Sequence, residues 1–331
     1  MSLISPPHAS NQEEFAFELA LCSHLETATE WVISRQLGAA VVHPGRRIID
    51  ICGVIPGSSF DTRSMITDER IPERAIAGPA GVGTSVRRSD AIDGSPQTTE
   101  AAIEQALAAD FFTIEHQNGQ EHIRQTTRYP TGWFDQIIGI ENKPDLKRPG
   151  ELTRQLQVDI SLGLFDAVIL ATKTHVTRAH LNRIPDAVGV WQFDPDTADR
   201  TIIKQSTKLA TGTPGIELGS DQSDHTEIHP VSSEKKARAR RRVAERAYGK
   251  GWRNYPLPSC AHAETQPDGR PYCAEFNCVI NPAQSCDTEC PAYTHAEPPR
   301  CNSDELRDER SPWHSDPPGV RHRQSGLDRF R

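Results

Sequence analysis

The stretch from Gln136 to Lys143, Gln-Ile-Ile-Gly-Ile-Glu-Asn-Lys, constrains this chain more than any other. Its short apolar run reads as a buried strand that ends by presenting Glu141 and Lys143. Residues two apart in a strand point to the same face. A carboxylate and an ammonium therefore project together from the strand end. Such a pair suits metal-assisted attack on a phosphate, and it equally suits an ordinary salt bridge. What the rest of the chain brings to the spot decides between them.

The 331 residues suffice for one large domain and a smaller one. Apolar residues make up 36%, so part of the chain is expected to lack a packed core. The 25 prolines gather at the start and from Pro256 onward. A net charge of −8 gives no global attraction for nucleic acid, so local clusters matter more than the sum. No run reaches the roughly 18 apolar residues of a bilayer span. The first residues lack the basic and apolar regions of a secretory signal. A cytoplasmic protein is expected, in which Cys serves as a ligand or a small hydrophobe rather than in a disulfide.

Residues 1–11 read as a disordered arm. A helix starts near Gln12, with Phe15, Leu19, Cys22 and Leu25 on one face. Glu18 inside it is either a solvated glutamate or a carboxylate aimed at a shared site. Two strands are expected at 39–42 and 47–55, joined by His43-Pro44-Gly45-Arg46. Asp50 interrupts the second strand and needs a cation or a metal beside it. Residues 56–95 show no clean period. A helix to about Ala109 then leads into a hairpin turning at Asn118-Gly119, which resembles the end of a winged-helix unit. Strand 136–142, helix 151–162, strand 165–171, helix 175–182 and strand 188–193 suggest a crossover within an α/β core.

Residues 196–233 read as a linker. From Glu234 to Arg253 there are nine Lys or Arg against Glu234 and Glu245, on a segment of helical composition. Lys235, Lys236, Arg238, Arg240, Arg241 and Arg242 are expected to face a polyanion. The plain alternative is a solvated helix with pairs inside the chain. Residues 298–331 read as a disordered tail.

Six of the eight Cys lie between Cys260 and Cys301, among Pro, Gly, Asp and Asn that cannot build a hydrophobic core. Cys260, Cys273, Cys286 and Cys290 form the best four-ligand set, ending in a Cys-x3-Cys pair. Four thiolates suit Zn2+ or an iron–sulfur cluster, and spacing does not separate the two. Cys22 and Cys52 sit in apolar runs and read as core residues.

A helix with Glu18, a strand with Asp50, a strand ending Glu141-Asn142-Lys143 and a helix with Gln155 together resemble the PD-(D/E)xK nuclease superfamily, over roughly residues 12–193. That resemblance implies an α/β fold with a restriction-endonuclease-like core, a mixed sheet flanked by helices, at 12–55 and 131–195. Residues 56–130 are then a winged-helix-like insertion. A basic helix and a C-terminal cysteine-rich metal module follow at 234–297. The implied activity is Mg2+-dependent hydrolysis of DNA. Asp50 and Glu141 would hold the metal, Lys143 would orient water, Glu18 would add a ligand, and Gln155 would match a glutamine of the RecB-like members.

Three features depart from the pattern. Asp159 stands where those members place a tyrosine, Ile49 replaces the proline before Asp50, and about ninety residues separate Asp50 from Glu141, so Asp61, Asp68 or Asp135 could be the partner. A non-catalytic nucleic-acid-binding or regulatory protein with a structural metal module is the competing expectation. The whole chain also resembles a haloarchaeal protein family, which implies no function.

Overall fold

A strand as apolar as residues 134–142 needs cover on both faces, and the computed structural model shows how the chain supplies it. The structure describes residues 9–147, 151–221 and 226–319. In chain order, helix α1 (Ala9–Ala28) precedes strands β1 (Val32–Gly38) and β2 (Ile48–Pro56). An insertion follows, with α2 (Phe60–Ser64), α3 (Glu73–Ala77), β3 (Val86–Arg87), α4 (Pro96–Ala108), β4 (Phe112–Gln117) and β5 (Gln120–Gln125). The core resumes with β6 (Phe134–Asn142), α5 (Leu152–Leu162), β7 (Ala167–Thr172), α6 (Arg178–Leu181), β8 (Gly189–Asp194) and β9 (Asp199–Lys204). Then come the hairpin β10 (Gly215–Asp221) and β11 (Thr226–Val231), and helix α7 (Ser233–Lys250). Short elements close the chain: β12 (Ala263–Thr265), β13 (Pro271–Cys273), β14 (Cys278–Val279), α8 (Pro282–Ser285) and α9 (Ser303–Arg310).

The fold is α/β, with a mixed six-stranded sheet ordered β1-β2-β6-β7-β8-β9 and flanked by helices. β1, β2 and β6 pair antiparallel, β6, β7 and β8 pair parallel, and β9 returns antiparallel at the edge. The parallel strands are buried on both faces. Val168, Leu170 and Val190 join one core with Val243, Ala244, Ala247 and Tyr248 of α7 and Leu152 and Leu156 of α5. Ile138, Ile140, Ile169 and Ala171 join the other, with Phe15, Leu19, Cys22 and Leu25 of α1. The expected face of α1 is thus its sheet face, but Phe17, Leu21 and Ala20 are buried too. A helix apolar on several sides is covered on several sides. Here Tyr255 and Val279 of the C-terminal segment pack into the same core.

Several expectations change. The first strand is β1, at 32–38, and residues 39–42 are not a strand. The helix begins at Ala9, and residues 1–8 of the expected arm lie outside the described residues. The expected linker contains β9 and the β10–β11 hairpin, because Ile216, Leu218 and Val231 pack with Val41, Leu162 and Leu164. The expected tail contains α9 and a buried Trp313, with Arg307 donating to the carbonyls of Ala247 and Tyr248 at the end of α7. Residues 320–331 of that tail lie outside the described residues.

Within the insertion, β3, β5 and β4 form a three-stranded sheet beside α4, and Asn118 and Gly119 turn the hairpin at positive φ. Glu100 and Glu104 of α4 pair with Arg88, so this helix shows acid rather than base to solvent. The insertion is tied to α7 by a buried pair, Arg63 Nε to Glu245 Oε1 at 2.8 Å. Tyr129 Oη and the Ile71 amide also donate to Glu245.

The basic helix is not a free cationic face. Lys236 is 1% exposed and donates to the Ala210 carbonyl. Arg240 is buried on Asp166 and the Leu164 carbonyl, Arg241 pairs with Glu73, and Arg242 donates to the carbonyls of Ala40 and Val41. The expectation that these four meet a polyanion is therefore corrected: the helix crosses the sheet, and its cations satisfy groups of the core. Lys235 and Arg238 are exposed, the latter paired with Glu234.

Candidate functional site

Strand register builds the site. β2 pairs with β6 so that Ile51 faces Ile140, and one step further puts Asp50 beside Glu141. β1 pairs with β2 so that Arg35 faces Ile51 and Leu37 faces Ile49, which leaves Gln36 level with Asp50. Gln36, Asp50 and Glu141 thus form a row across three adjacent strands. Gln36 holds φ at +53°, a left-handed conformation that is uncommon within a strand. Its amide Nε2 donates to Glu18 Oε2 at 3.1 Å and to Asp50 Oδ1 at 3.4 Å.

The ends of the strands and two helices complete the cluster. The Asn142 backbone N–H donates to Asp50 Oδ2 at 2.9 Å, and its side-chain amide donates to Glu18 Oε2 at 2.9 Å. Asn142 Oδ1 is buried without a hydrogen-bond partner among the described residues. Arg35 pairs with Glu18. Arg47 bonds Glu141 and also forks onto Asp159 of α5, with both contacts to Asp159 at 2.7 Å. Lys143 reaches Glu14 of α1 at 3.3 Å rather than Asp50 or Glu141.

Burial raises the proton affinities of these carboxylates. Burial pushes Glu141 up to about 9, with Asp50 as the next cause, although Arg47 opposes the shift. Burial raises Glu18 to about 7, with Arg35 opposing and Asp50 adding to the rise. Asp50 and Asp159 are also raised by burial, against the Asn142 amide for the first and Arg47 for the second.

Asp50 opens into a cleft of about 610 Å³. Arg46, Arg47 and Gln36 line one side, Arg154, Gln155 and Val158 of α5 another, and Leu218, Gly219 and Ser220 of β10 a third. Gln155 is exposed in this cleft and does not bond the carboxylates. Of the expected residues, then, Glu18, Asp50 and Glu141 come together. Lys143 stands at their edge on Glu14, and Gln155 shares only the cleft. Arg47, Asp159, Gln36, Asn142 and Arg35 were not singled out from sequence. The one signal was Asp159, noted only as a missing tyrosine.

Cys260, Cys273, Cys286 and Cys290 line one small cavity together with His262 and Tyr293. Burial pushes the Cys286 thiol up to about 12, and Cys273, Cys260 and Cys290 around it add to the rise. Among the described residues, no group of three or more His, Cys, Asp or Glu that could hold a metal ion is found. Nor is any described helix long and apolar enough to cross a membrane.

No curated protein and no solved structure matches the chain. One family model does match, over residues 32–295, from β1 through the four clustered cysteines. The chain belongs to this family, described as a family of unknown function (DUF5787).

Proposed function

We propose that this chain is a Mg2+-dependent nuclease of the PD-(D/E)xK type, hydrolysing phosphodiester bonds of DNA. The observation that carries the reading is the row of Asp50 and the buried Glu141 on adjacent strands, with Asp50 opening into a cleft lined by Arg46, Arg47 and Arg154. The element order supports it: helix α1, antiparallel strands β1, β2 and β6, helix α5, and β7 parallel to β6. The donor set fits the ion. Asp50, Glu141, Glu18 and Asn142 Oδ1, which has no partner among the described residues, are hard oxygen donors, as Mg2+ prefers. Two of those carboxylates already bond guanidinium groups, Glu141 with Arg47 and Glu18 with Arg35, so the site is built around positive charge.

Bound Mg2+ would make a bound water more acidic and offset charge on the phosphate. Asp50 and Glu141 would hold it, with Arg47 giving up Glu141 while keeping Asp159. Lys143, at the edge of the cluster, would turn from Glu14 to orient the attacking water. Arg46 and Arg154 would grip phosphate oxygens along the cleft, as planar guanidinium groups do well.

The test is cleavage of single-stranded, duplex and branched DNA with Mg2+ or Mn2+. Asp50→Ala should abolish cleavage, and Lys143→Ala should slow it by about a hundredfold or more. Activity surviving both substitutions would remove the site. A second reading has its own observation, since Arg47 already bridges Glu141 and Asp159 and could be a permanent counter-ion. In that case the chain is a non-catalytic nucleic-acid-binding or regulatory protein. The readings part on Arg47→Ala, which a metal-binding site predicts will be stabilised by Mg2+ more than the parent is.

A further inference from the structure

The C-terminal segment folds without a hydrophobic core of its own size. β12, β13 and β14 are three, three and two residues long, too short to hold a sheet unaided. Their packing instead surrounds a cavity with about 20 Å³ of free space, bounded by Cys260, Cys273, Cys286 and Cys290. These cysteines come from four separate places: the turn before β12, the end of β13, the residue after α8, and the turn beyond it. Cys278 lies opposite Cys273 in the β13–β14 register yet does not line the cavity. Cys301 does not line it either and borders a separate cleft with Arg253 and Tyr255.

We propose that this cavity is a mononuclear structural zinc site, with Cys260, Cys273, Cys286 and Cys290 as its four ligands. Four sulfur donors lining one cavity suit a tetrahedral soft-ligand ion once they close on it. The free space holds about one water-sized sphere, room for a single ion. Cys286 and Cys290 sit on one tight turn, where the Cys290 N–H donates to the Asp287 carbonyl. Cys260 is held by its bridge to His295 and Cys273 by the β12–β13 ladder. On binding, the four thiols release four protons and the side chains turn to bring the sulfurs onto the ion, which supplies the folding energy that the short strands lack. This site is independent of the carboxylate cluster and of any nuclease activity.

The experiment is elemental analysis of the full chain purified from zinc-supplemented cells, with zinc release by a mercurial read by a metallochromic dye. About one zinc per chain is expected, and Co2+ exchange should give the visible bands of tetrahedral thiolate coordination. Replacing any one of the four cysteines by Ser should lower zinc to about a tenth of an equivalent. Cys278→Ser and Cys301→Ser should keep it in full, and Cys290→His should retain it because imidazole also ligates zinc. Should the Ser variants fail to fold, the parent's zinc content and cobalt spectrum decide the question. Iron with acid-labile sulfide, a metal-free parent, or zinc lost with Cys278→Ser would overturn the assignment.

Discussion

Gly139 sets the spacing beneath the site. It lies two residues before Glu141 on the same strand face, and a Cβ built there would sit 2.8 Å from the Phe165 ring. Gly139→Ala should therefore force Phe165 out of its packing and cost about 1–3 kcal/mol, read as a lower denaturation midpoint at unchanged m-value. The buried acids make a second prediction. A carboxyl whose folded-state pKa is raised stabilises the native state fully below its ordinary pKa and loses that contribution as pH rises through the folded value. For Glu18 and Glu141 the loss should run from about pH 4.5 through about 7 and about 9, respectively. Thermal melts should show stability falling across that window. Glu141→Gln should flatten the upper part of the slope, and added Mg2+ should restore stability most at the alkaline end. At this scale the sequence was readable where chemistry broke a pattern. Asp50 and Glu141 stand out in apolar strands, whereas Arg47 reads only as the first residue of a strand. Its bond to Asp159 spans 112 residues, and no local period carries such a contact.

Helix α7 shows why an element can be placed correctly and faced wrongly. Its helical composition was plain, but eight cations outweighed the apolar spacing of Ala239, Val243, Ala244, Ala247 and Tyr248, which in fact sets the buried face. Partners far away in sequence decide the matter, above all Arg63, 182 residues from Glu245. Arg63 also stacks over Trp133 and Tyr248. Arg63→Ala should cost about 3–5 kcal/mol, because Glu245 is left charged and buried, and chemical denaturation measures it. Strand β1 escaped notice for the opposite reason. Ser34, Arg35 and Gln36 interrupt its apolar character because this edge strand serves the site as well as the core. The helices and strands from β6 to β8 were legible because a strand buried on both faces leaves a nearly continuous apolar run.

Across the whole molecule, the two apolar cores are the two faces of one sheet, and each is completed by a distant part of the chain. On the α1 side, Arg253 clamps Glu26 at 2.7 Å and Gln12 donates to Cys278 and Val279, so the cysteine segment is locked against the first helix. That assembly could not be read from the sequence, where Pro, Gly and Cys spacing suggested an appended module. On the other side α7 closes the sheet. A ribosome therefore delivers every strand of the sheet before the helix that covers it. While residues 233–250 are still unmade, Val32 and Leu37 of β1 and Cys52 and Val54 of β2 lack the helix that packs over them. The nascent chain must hold a half-wrapped sheet, exposed to pairing with its neighbours, until the last third of translation releases it.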